Sequence, residues 1–501
     1  MNKIFLETYG CQMNVYDTEL VKSILTKENY AFVPTEDEAD VIMLNTCAIR
    51  ENAHRKVYGR VNHILHKRKE SRDGTQAARP VKIGILGCMA TNLRTELLDN
   101  KQLKIDFIAG PDSYKRLPAL IAESFNDTGK HFDVTLSEFE TYSDIFPNQS
   151  SNANFSLSRK VNAWIAVMRG CNNFCSFCVV PYTRGRERSR SPQNVLEEVK
   201  KLADEGFKQI TLLGQNVNSY SYENYDFAYL LDLISTVKGV ERIRFTSPHP
   251  KDFPDNLLHV ITDNPKICKH LHLPLQAGNT RILDLMNRTY TKEEFLALAD
   301  KVRKIIPNAT LTTDVIVGFS SETDAEFNDT FDVMQKVEFD SAFSFKYSER
   351  KNTIASKKFK DDVPEAIKTE RIVRLNELQK SISLKKNKQH IGQIHTILIE
   401  SESTARSDKY CQGRTDGNKI VVIPKRNCHS EAEGRRISKT RSFASAQDDR
   451  HEYRLGDMVS VQISDASPNS LKGTPVFVIP ECFSRGSTDV KMDSRLRGND
   501  K

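Results

Sequence analysis

The chain has 501 residues, ten cysteines and a formal net charge of +7. That length exceeds one domain and predicts about three, and a basic excess concentrated in residues 386–501 fits either nucleic acid or a solvated surface. No apolar run approaches membrane-spanning length and the first residues lack the apolar core of a signal peptide, so a cytoplasmic protein with reduced thiols is expected, and metal binding or catalysis explains the cysteines better than disulfides do.

Residues 1–125 alternate strand-like and helical patterns. Strands are expected over 3–8, 40–45, 81–86 and 105–109, and helices over 15–28, 49–69, 91–98 and 113–125. This alternation predicts a doubly wound parallel sheet. Cys11 follows the first strand, Cys47 the second and Cys88 the third. In a parallel sheet those loops emerge on one edge, where open α/β sheets bind ligands. The three thiols are therefore expected to converge on an iron–sulfur cluster that keeps one iron open; the bland alternative for each is a buried small apolar residue.

Residues 126–157 carry few apolar positions and predict a loop-rich linker. Residues 158–390 read as six strand–helix units and a connector helix over 367–388. Strands are expected over 161–168, 209–213, 242–247, 270–275, 310–317 and 342–347. Helices such as 192–204, 226–236, 254–262, 281–286, 292–304 and 324–336 lie between them. Six parallel units make an open, partial (β/α)6 barrel; the count does not reach the eight of a closed one.

The loop after the first of these strands holds Cys171, Cys175 and Cys178, spaced C-x3-C-x2-C. Thiolates suit zinc, copper(I) or iron–sulfur clusters. A closed zinc site wants a fourth ligand, and none follows here. Three thiolates can instead hold three irons of a [4Fe–4S] cube and leave the fourth open. Other strand ends are polar: Gln215, Asn216 and Asn218 after the second, His249 after the third, Gln276 after the fourth and Asp314 on the fifth. Barrels present groups to ligands from such positions. Arg184, Arg186, Arg188 and Arg190 alternate, so in an extended chain they share one face, suited to phosphate, to carboxylate or to water.

Residues 391–476 switch to short strands, 394–400, 419–423 and 458–463, around a turn at 413–418, and predict a small β-barrel. Arg414, Lys419, Lys425 and Lys472 are its candidate nucleic-acid contacts. An insert at 426–452 and the tail 477–501 are rich in Ser, Arg and Asp, and disorder is expected for both. Cys268, Cys411, Cys428 and Cys482 are not expected to be ligands.

The run 171–190, CNNFCSFCVVPYTRGRERSR, with Phe177 as the aromatic before the third cysteine, resembles the radical S-adenosylmethionine (SAM) superfamily and, over its whole length, the methylthiotransferases. YGCQMN at 9–14, NTCAIRE at 45–51 and LGCMA at 86–90 resemble the N-terminal domain of the same enzymes. Residues 391–476 resemble the OB-like TRAM domain appended to RNA-modifying enzymes. The chain departs from the usual family pattern at 319–321 and 350–353. The resemblance implies two [4Fe–4S] clusters, a SAM-cleaving one on Cys171, Cys175 and Cys178 and a sulfur-carrying one on Cys11, Cys47 and Cys88, all six cysteines serving catalysis. Phe177, Arg184, Gln215, Asn216, Asn218, Gln276 and Asp314 would face SAM. Arg186, Arg188 and Arg190, with the four TRAM residues, would face RNA. The implied reaction adds a methylthio group to carbon 2 of N6-isopentenyladenosine beside a tRNA anticodon, in a monomer fed by an electron donor such as flavodoxin or ferredoxin; LLGQNVNSY at 212–220 favours this substrate. The alternatives are a threonylcarbamoyl-adenosine tRNA or a ribosomal-protein aspartate as acceptor. From another class, the chain would be a non-catalytic iron–sulfur RNA-binding protein that leaves SAM intact.

Overall fold

The computed structural model describes residues 2–48, 51–70, 81–100, 102–127, 129–149, 161–405, 407–425 and 453–476. The N-terminal unit is one parallel sheet of β1 (Lys3–Tyr9), β2 (Ala31–Phe32), β3 (Val41–Thr46), β4 (Lys82–Leu86), β5 (Phe107–Ala109) and β6 (His131–Asp133), in the order β2-β1-β3-β4-β5-β6. Side chains alternate across a strand, and both faces of β3 are used: Val41 and Met43 face one core, Ile42 and Leu44 the other. Helices α1 (Gln12–Lys27) and α5 (Leu117–Asn126) close the first core. Helices α2 (Glu51–Glu70), α3 (Cys88–Asn92) and α4 (Arg94–Asp99) close the second. The chain steps outward from β1 to β2 and then crosses back to β3 on the other side of β1. The crevice of this doubly wound sheet therefore opens between the ends of β1 and β3.

The expected linker 126–157 is partly strand. β6 joins the sheet edge, and Tyr142 and Ile145 enter the first core, so the N-terminal unit extends beyond residue 125. Tyr142 stacks on Tyr114 at 5.9 Å and its hydroxyl donates to the Pro111 carbonyl at 2.9 Å.

In the central unit, β7 (Asn162–Ala166) is followed by β8 (Met168–Arg169), which pairs antiparallel with β9 (Arg188–Ser189) and ties off the cysteine loop at its base. Then come β10 (Gln209–Leu213), a small ribbon of β11 (Ser221–Tyr222) and β12 (Tyr225–Asp226), and β13 (Arg242–Phe245). β14 (His270–His272), β15 (Thr310–Val317) and β16 (Ser341–Lys346) finish the set. The parallel trios β7-β10-β13 and β14-β15-β16 are joined by a bridge from Ile243 to Ile267. The result is the open six-strand arc that the sequence predicted. Its helices are α6 (Val180–Arg184), α7 (Pro192–Asp204), α8 (Phe227–Ser235), α9 (Asp255–Asp263), α10 (Thr280–Leu285), α11 (Lys292–Ile305) and α12 (Asp324–Val337). Helix starts follow local chemistry: Ser191 caps α7 ahead of Pro192, and Thr291 and Thr323 make capping boxes with Glu294 and Glu326. α13 (Ile354–Lys358) and the connector α14 (Glu365–Lys388) lead out of the barrel.

The last unit is a closed barrel of β17 (Ile394–Ser401), β18 (Tyr410–Arg414), β19 (Ile420–Pro424), β20 (Met458–Ala466) and β21 (Leu471–Pro475), filled by Ile397, Ile399, Val421, Ile423 and Val461. Cys411 is part of this filling, and Cys268 is buried in the central unit. The insert 426–452 and the tail 477–501, with Cys428 and Cys482, lie outside the described residues. No helix among the described residues is long and apolar enough to cross a membrane.

Candidate active site

β7 delivers the chain to the carboxyl edge of the barrel, and Gly170 turns it into the cysteine loop. Gly170 has φ +79°, and a Cβ there would sit 1.9 Å from the Arg186 carbonyl oxygen, so no other residue fits. Its amide donates to Gln215 Oε1 at 2.5 Å. The loop is held by its surroundings. The Cys171 amide donates to Gly185 O at 3.1 Å, the Ser176 amide to Met286 O at 2.9 Å, and Asn287 Nδ2 to the carbonyls of Asn173 and Phe174 at 3.1 and 3.0 Å. Phe177 packs against the apolar cluster of Ala277, Ile282, Leu283 and Met286.

Each of the three thiols accepts a hydrogen bond: Cys171 from the Asn173 amide, Cys175 Sγ from Arg288 Nη1 at 3.3 Å and Cys178 Sγ from the Val180 amide at 3.5 Å. Burial pushes the Cys171 thiol up to about 11; burial, reinforced by the neighbouring Cys175, pushes Cys178 up to about 12. Dry thiols crowded together resist ionising alone and gain from a cation that binds the thiolates. Among the described residues, no three His, Cys, Asp or Glu side chains converge tightly enough to hold one metal ion. A cube takes one cysteine sulfur per iron, and three free thiols on one loop are the donor set present here.

The other thiols sit at the crevice of the N-terminal sheet. Cys11 caps α1, Cys47 ends β3 with its amide donating to Tyr9 O at 3.1 Å, and Cys88 opens α3. The flanking motif residues stitch these loops together. Asn45 Nδ2 donates to Asn14 O at 2.9 Å and to Thr18 Oγ1 at 3.0 Å. Gly10 passes so close to Cys47 that a Cβ on it would lie 2.6 Å from the Cys47 Cβ. A hydrogen bond with Cys47 brings the Cys11 thiol down to about 6, against burial and with help from the Arg184 charge.

Arg184 comes from the radical-SAM-like loop, yet it reaches the sheet. Its Nε donates to Cys88 Sγ at 3.0 Å and its Nη2 to Asp17 Oδ2 at 2.7 Å. Arg169 Nη2 takes the other Asp17 oxygen at 2.7 Å, and its guanidinium lies over the Tyr142 ring at 4.7 Å. Burial opposes ionisation of Asp17, but the two guanidinium charges hold its carboxyl below the usual range. Arg184 Nη1 is buried with no hydrogen-bond partner, leaving a donor on the side chain that already bonds Cys88. Arg169, which bonds the other Asp17 oxygen, likewise keeps Nε and Nη1 buried and unpartnered. A donor such as Arg184 Nη1 fits the inorganic sulfurs of a cluster.

The alternating arginines are therefore not one phosphate-facing stripe. Arg188 is buried, with Nη2 on both Asp112 oxygens at 2.9 and 3.0 Å. Arg190 is buried, with Nη1 on Glu198 Oε2 at 2.6 Å. The antiparallel β8–β9 ribbon turns these two against the domain interface, where carboxylates already neutralise them, so neither is available to RNA. Arg184, expected toward SAM, contacts the other cysteine set. Arg186 alone of the four is exposed, its guanidinium 4.4 Å from the Phe174 ring.

Asn216 Nδ2 donates to Asp252 Oδ2 at 2.9 Å, and Asn218 exchanges hydrogen bonds with the His249 backbone at 3.0 and 2.8 Å, so both shape the loops at the barrel mouth. Asn216 Oδ1 and His249 Nε2 remain buried without partners there. Gln276 is buried at φ +66°, bridged to Val315, and Asp314 Oδ2 lies 3.3 Å from His272 Nε2. In the TRAM-like barrel, Lys419 is nearly buried and bonded to Asp340 and Asn387 at 2.7 and 2.8 Å, which removes it as an RNA contact. Arg414 is tied to Glu400 at 3.0 Å, Lys425 is half-buried and Lys472 is exposed. Sequence reasoning missed Asp17, Arg169 and Arg288. The available signal for Asp17 was a carboxylate one turn beyond Asn14 on the helix that Cys11 caps.

Residues 165–334 match the Radical SAM superfamily, residues 388–476 the TRAM domain and residues 3–110 an uncharacterized protein family, UPF0004. The fold is similar to that of a radical S-adenosylmethionine methyltransferase, TsrM, from Kitasatospora setae with cobalamin and a [4Fe-4S] cluster bound. The TM-score is 0.54 at 14% identity, over 71% of this chain and 74% of that one. The protein is thus a radical-SAM enzyme, a class that works with a [4Fe–4S] cluster and SAM. It is 42% identical over 95% of its length to a tRNA-2-methylthio-N(6)-dimethylallyladenosine synthase of Phocaeicola vulgatus, 96% of which is covered. It is 41% identical over 95% of its length to one of Bacteroides fragilis, with 96% of that chain covered. The chain belongs to this family of radical-SAM methylthiotransferases.

Proposed function

We propose that the protein adds a methylthio group to carbon 2 of N6-dimethylallyladenosine in the anticodon loop of tRNA, with two [4Fe–4S] clusters, one on Cys171, Cys175 and Cys178 and one on Cys11, Cys47 and Cys88. The 3.0 Å contact between Arg184 of the first cysteine loop and the Cys88 thiol carries this reading, because it makes both thiol sets parts of one interface. When bound, the first cluster supplies the electron that cleaves SAM to a radical able to attack an unactivated carbon, and the second presents the sulfur to be transferred.

The chain's own residues set the stage for that chemistry. Arg288 fixes Cys175, while Asn216 Oδ1 and His249 Nε2 offer polar atoms to SAM at the barrel mouth. Phe343 and Phe345 stand exposed on β16, in register with Asp314 and Ile316 of β15, and give the open barrel edge an apolar face suited to a prenylated base. An anticodon-loop adenine is splayed out and can reach such a face. Arg186 is an exposed cation left for the RNA backbone, and exposed Lys472, 3.5 Å from Asp465, can exchange that surface partner for a phosphate. A monomer fed by a flavodoxin or ferredoxin completes the reading.

The test is anaerobic reconstitution with iron and sulfide, then SAM, a reductant and a dimethylallyl-modified anticodon stem-loop, with nucleosides read by mass spectrometry. A methylthio mass gain accompanied by 5′-deoxyadenosine is expected. 5′-Deoxyadenosine with an unchanged stem-loop would assign a different acceptor.

A further inference from the structure

Helix α6 touches a thiol of each set. At its first residue the Val180 amide donates to Cys178 Sγ at 3.5 Å; at its last, Arg184 Nε donates to Cys88 Sγ at 3.0 Å. We propose that α6 is the strut that fixes the spacing of the two clusters, and that Arg184 is a positioning residue that tunes the reduction potential of the cluster on Cys11, Cys47 and Cys88.

This rests on the two-cluster reading above. Five helical residues at about 1.5 Å rise make a rigid element of about 7 Å, short enough that motion at one end is felt at the other. Arg184 cannot swing away. It is fully enclosed, and Asp17 is itself pinned, one oxygen by Arg184 and the other by Arg169, both at 2.7 Å. Arg184 Nη1 is buried and unpartnered, so the guanidinium still has a donor to give. Hydrogen bonds to cluster sulfurs and nearby positive charge favour the reduced, more negative state of a cluster and raise its potential. Asp17 works the other way, since its carboxylate offsets the same guanidinium charge. Arg184 and Asp17 therefore make a matched pair acting on one cluster, with opposite signs.

The experiment is a redox titration followed by electron paramagnetic resonance on the full-length reconstituted protein, with iron counted in every sample. Arg184→Gln is expected to retain about eight irons and to shift the midpoint of the Cys11/Cys47/Cys88 cluster to more negative values. Arg184→Lys, which keeps the charge, is expected to recover most of the shift. Asp17→Asn is expected to shift the same midpoint to more positive values. A purely structural role predicts no such pair of opposite shifts. An Arg184→Gln midpoint equal to the wild-type value, or shifts of the same sign for Arg184→Gln and Asp17→Asn, would overturn the proposal. Should Arg184→Gln fail to hold iron, the direction of the Asp17→Asn shift decides. A wild-type protein with only about four irons would instead sink the two-cluster reading.

Discussion

His249 is enclosed at the barrel mouth with its Nδ1 accepting from the Lys251 amide at 3.3 Å. Burial, with the charges of Arg288 and Lys251 behind it, depresses its ring far below the ordinary 6.5, to about 2. The unfolded chain takes up a proton below pH 6.5 that the folded one refuses, so stability must fall as pH falls through that window. The slope from this residue approaches about 1.4 kcal/mol per pH unit. Urea midpoints measured between pH 7.5 and 5.5 are expected to drop more steeply for the wild type than for His249→Gln; parallel curves would contradict this. At this scale Cys171, Cys175 and Cys178 stood out by their close spacing, and Cys11, Cys47 and Cys88 by their places after successive strands of a parallel sheet. Arg188 and Arg190 were not, because alternation shows that side chains share a face but not what that face meets. Asp112 lies 76 residues from Arg188, beyond any local pattern.

Among the elements, the six barrel strands and the four inner strands of the N-terminal sheet were legible from their apolar runs. β2 and β6, of two and three residues, were not, because an edge strand so short carries no periodicity. β18 and β21 were missed for a related reason. YCQGR and LKGTP bury only alternate residues, among them glycine, so their apolar signal is faint. β16 was placed correctly, but its exposed Phe343 and Phe345 gave no warning of their position at the open edge. Replacing both with alanine is expected to raise KM for a dimethylallyl-modified stem-loop by about 5- to 150-fold, about one to three kcal/mol of lost stacking and apolar contact. Cluster content and SAM cleavage without RNA should be unchanged. Steady-state kinetics on modified and unmodified stem-loops would measure this, and an unchanged KM would remove β16 from the base-binding face.

Across the whole molecule, the barrel is latched to both neighbours. The N-terminal sheet is held on one side by the Arg169, Arg184 and Arg188 ion pairs and by Arg190 Nη1 donating to the Tyr16 hydroxyl at 3.3 Å, and on the other by Asn352 Nδ2 on Asn92 O at 3.0 Å and Lys351 on Glu96 at 2.6 Å. The loop at 350–353, where the chain departs from the family pattern, thus has a contact role here. The TRAM barrel is held from β13: Arg242 donates to the carbonyls of Arg414 and Thr396 at 2.5 and 2.8 Å, and Arg244 to those of Asp416 and Thr415 at 2.9 and 2.6 Å. An Arg242→Ala, Arg244→Ala double variant is expected to free that barrel, giving faster proteolysis near residue 390 and at least tenfold weaker tRNA binding with iron content intact. Equal cleavage rates in wild type and variant would show that other contacts hold it. The three-unit order was legible from shifts in sequence pattern, whereas these latches join backbone carbonyls to distant guanidiniums and leave no trace in composition.

The most direct test of two facing three-thiol sites is to count iron and acid-labile sulfide in the reconstituted wild type and in two triple alanine variants, one at Cys11, Cys47 and Cys88 and one at Cys171, Cys175 and Cys178. The account predicts about eight irons in the wild type and about four in each variant. A wild type with about four, or an N-terminal variant that keeps every iron of the wild type, would contradict it.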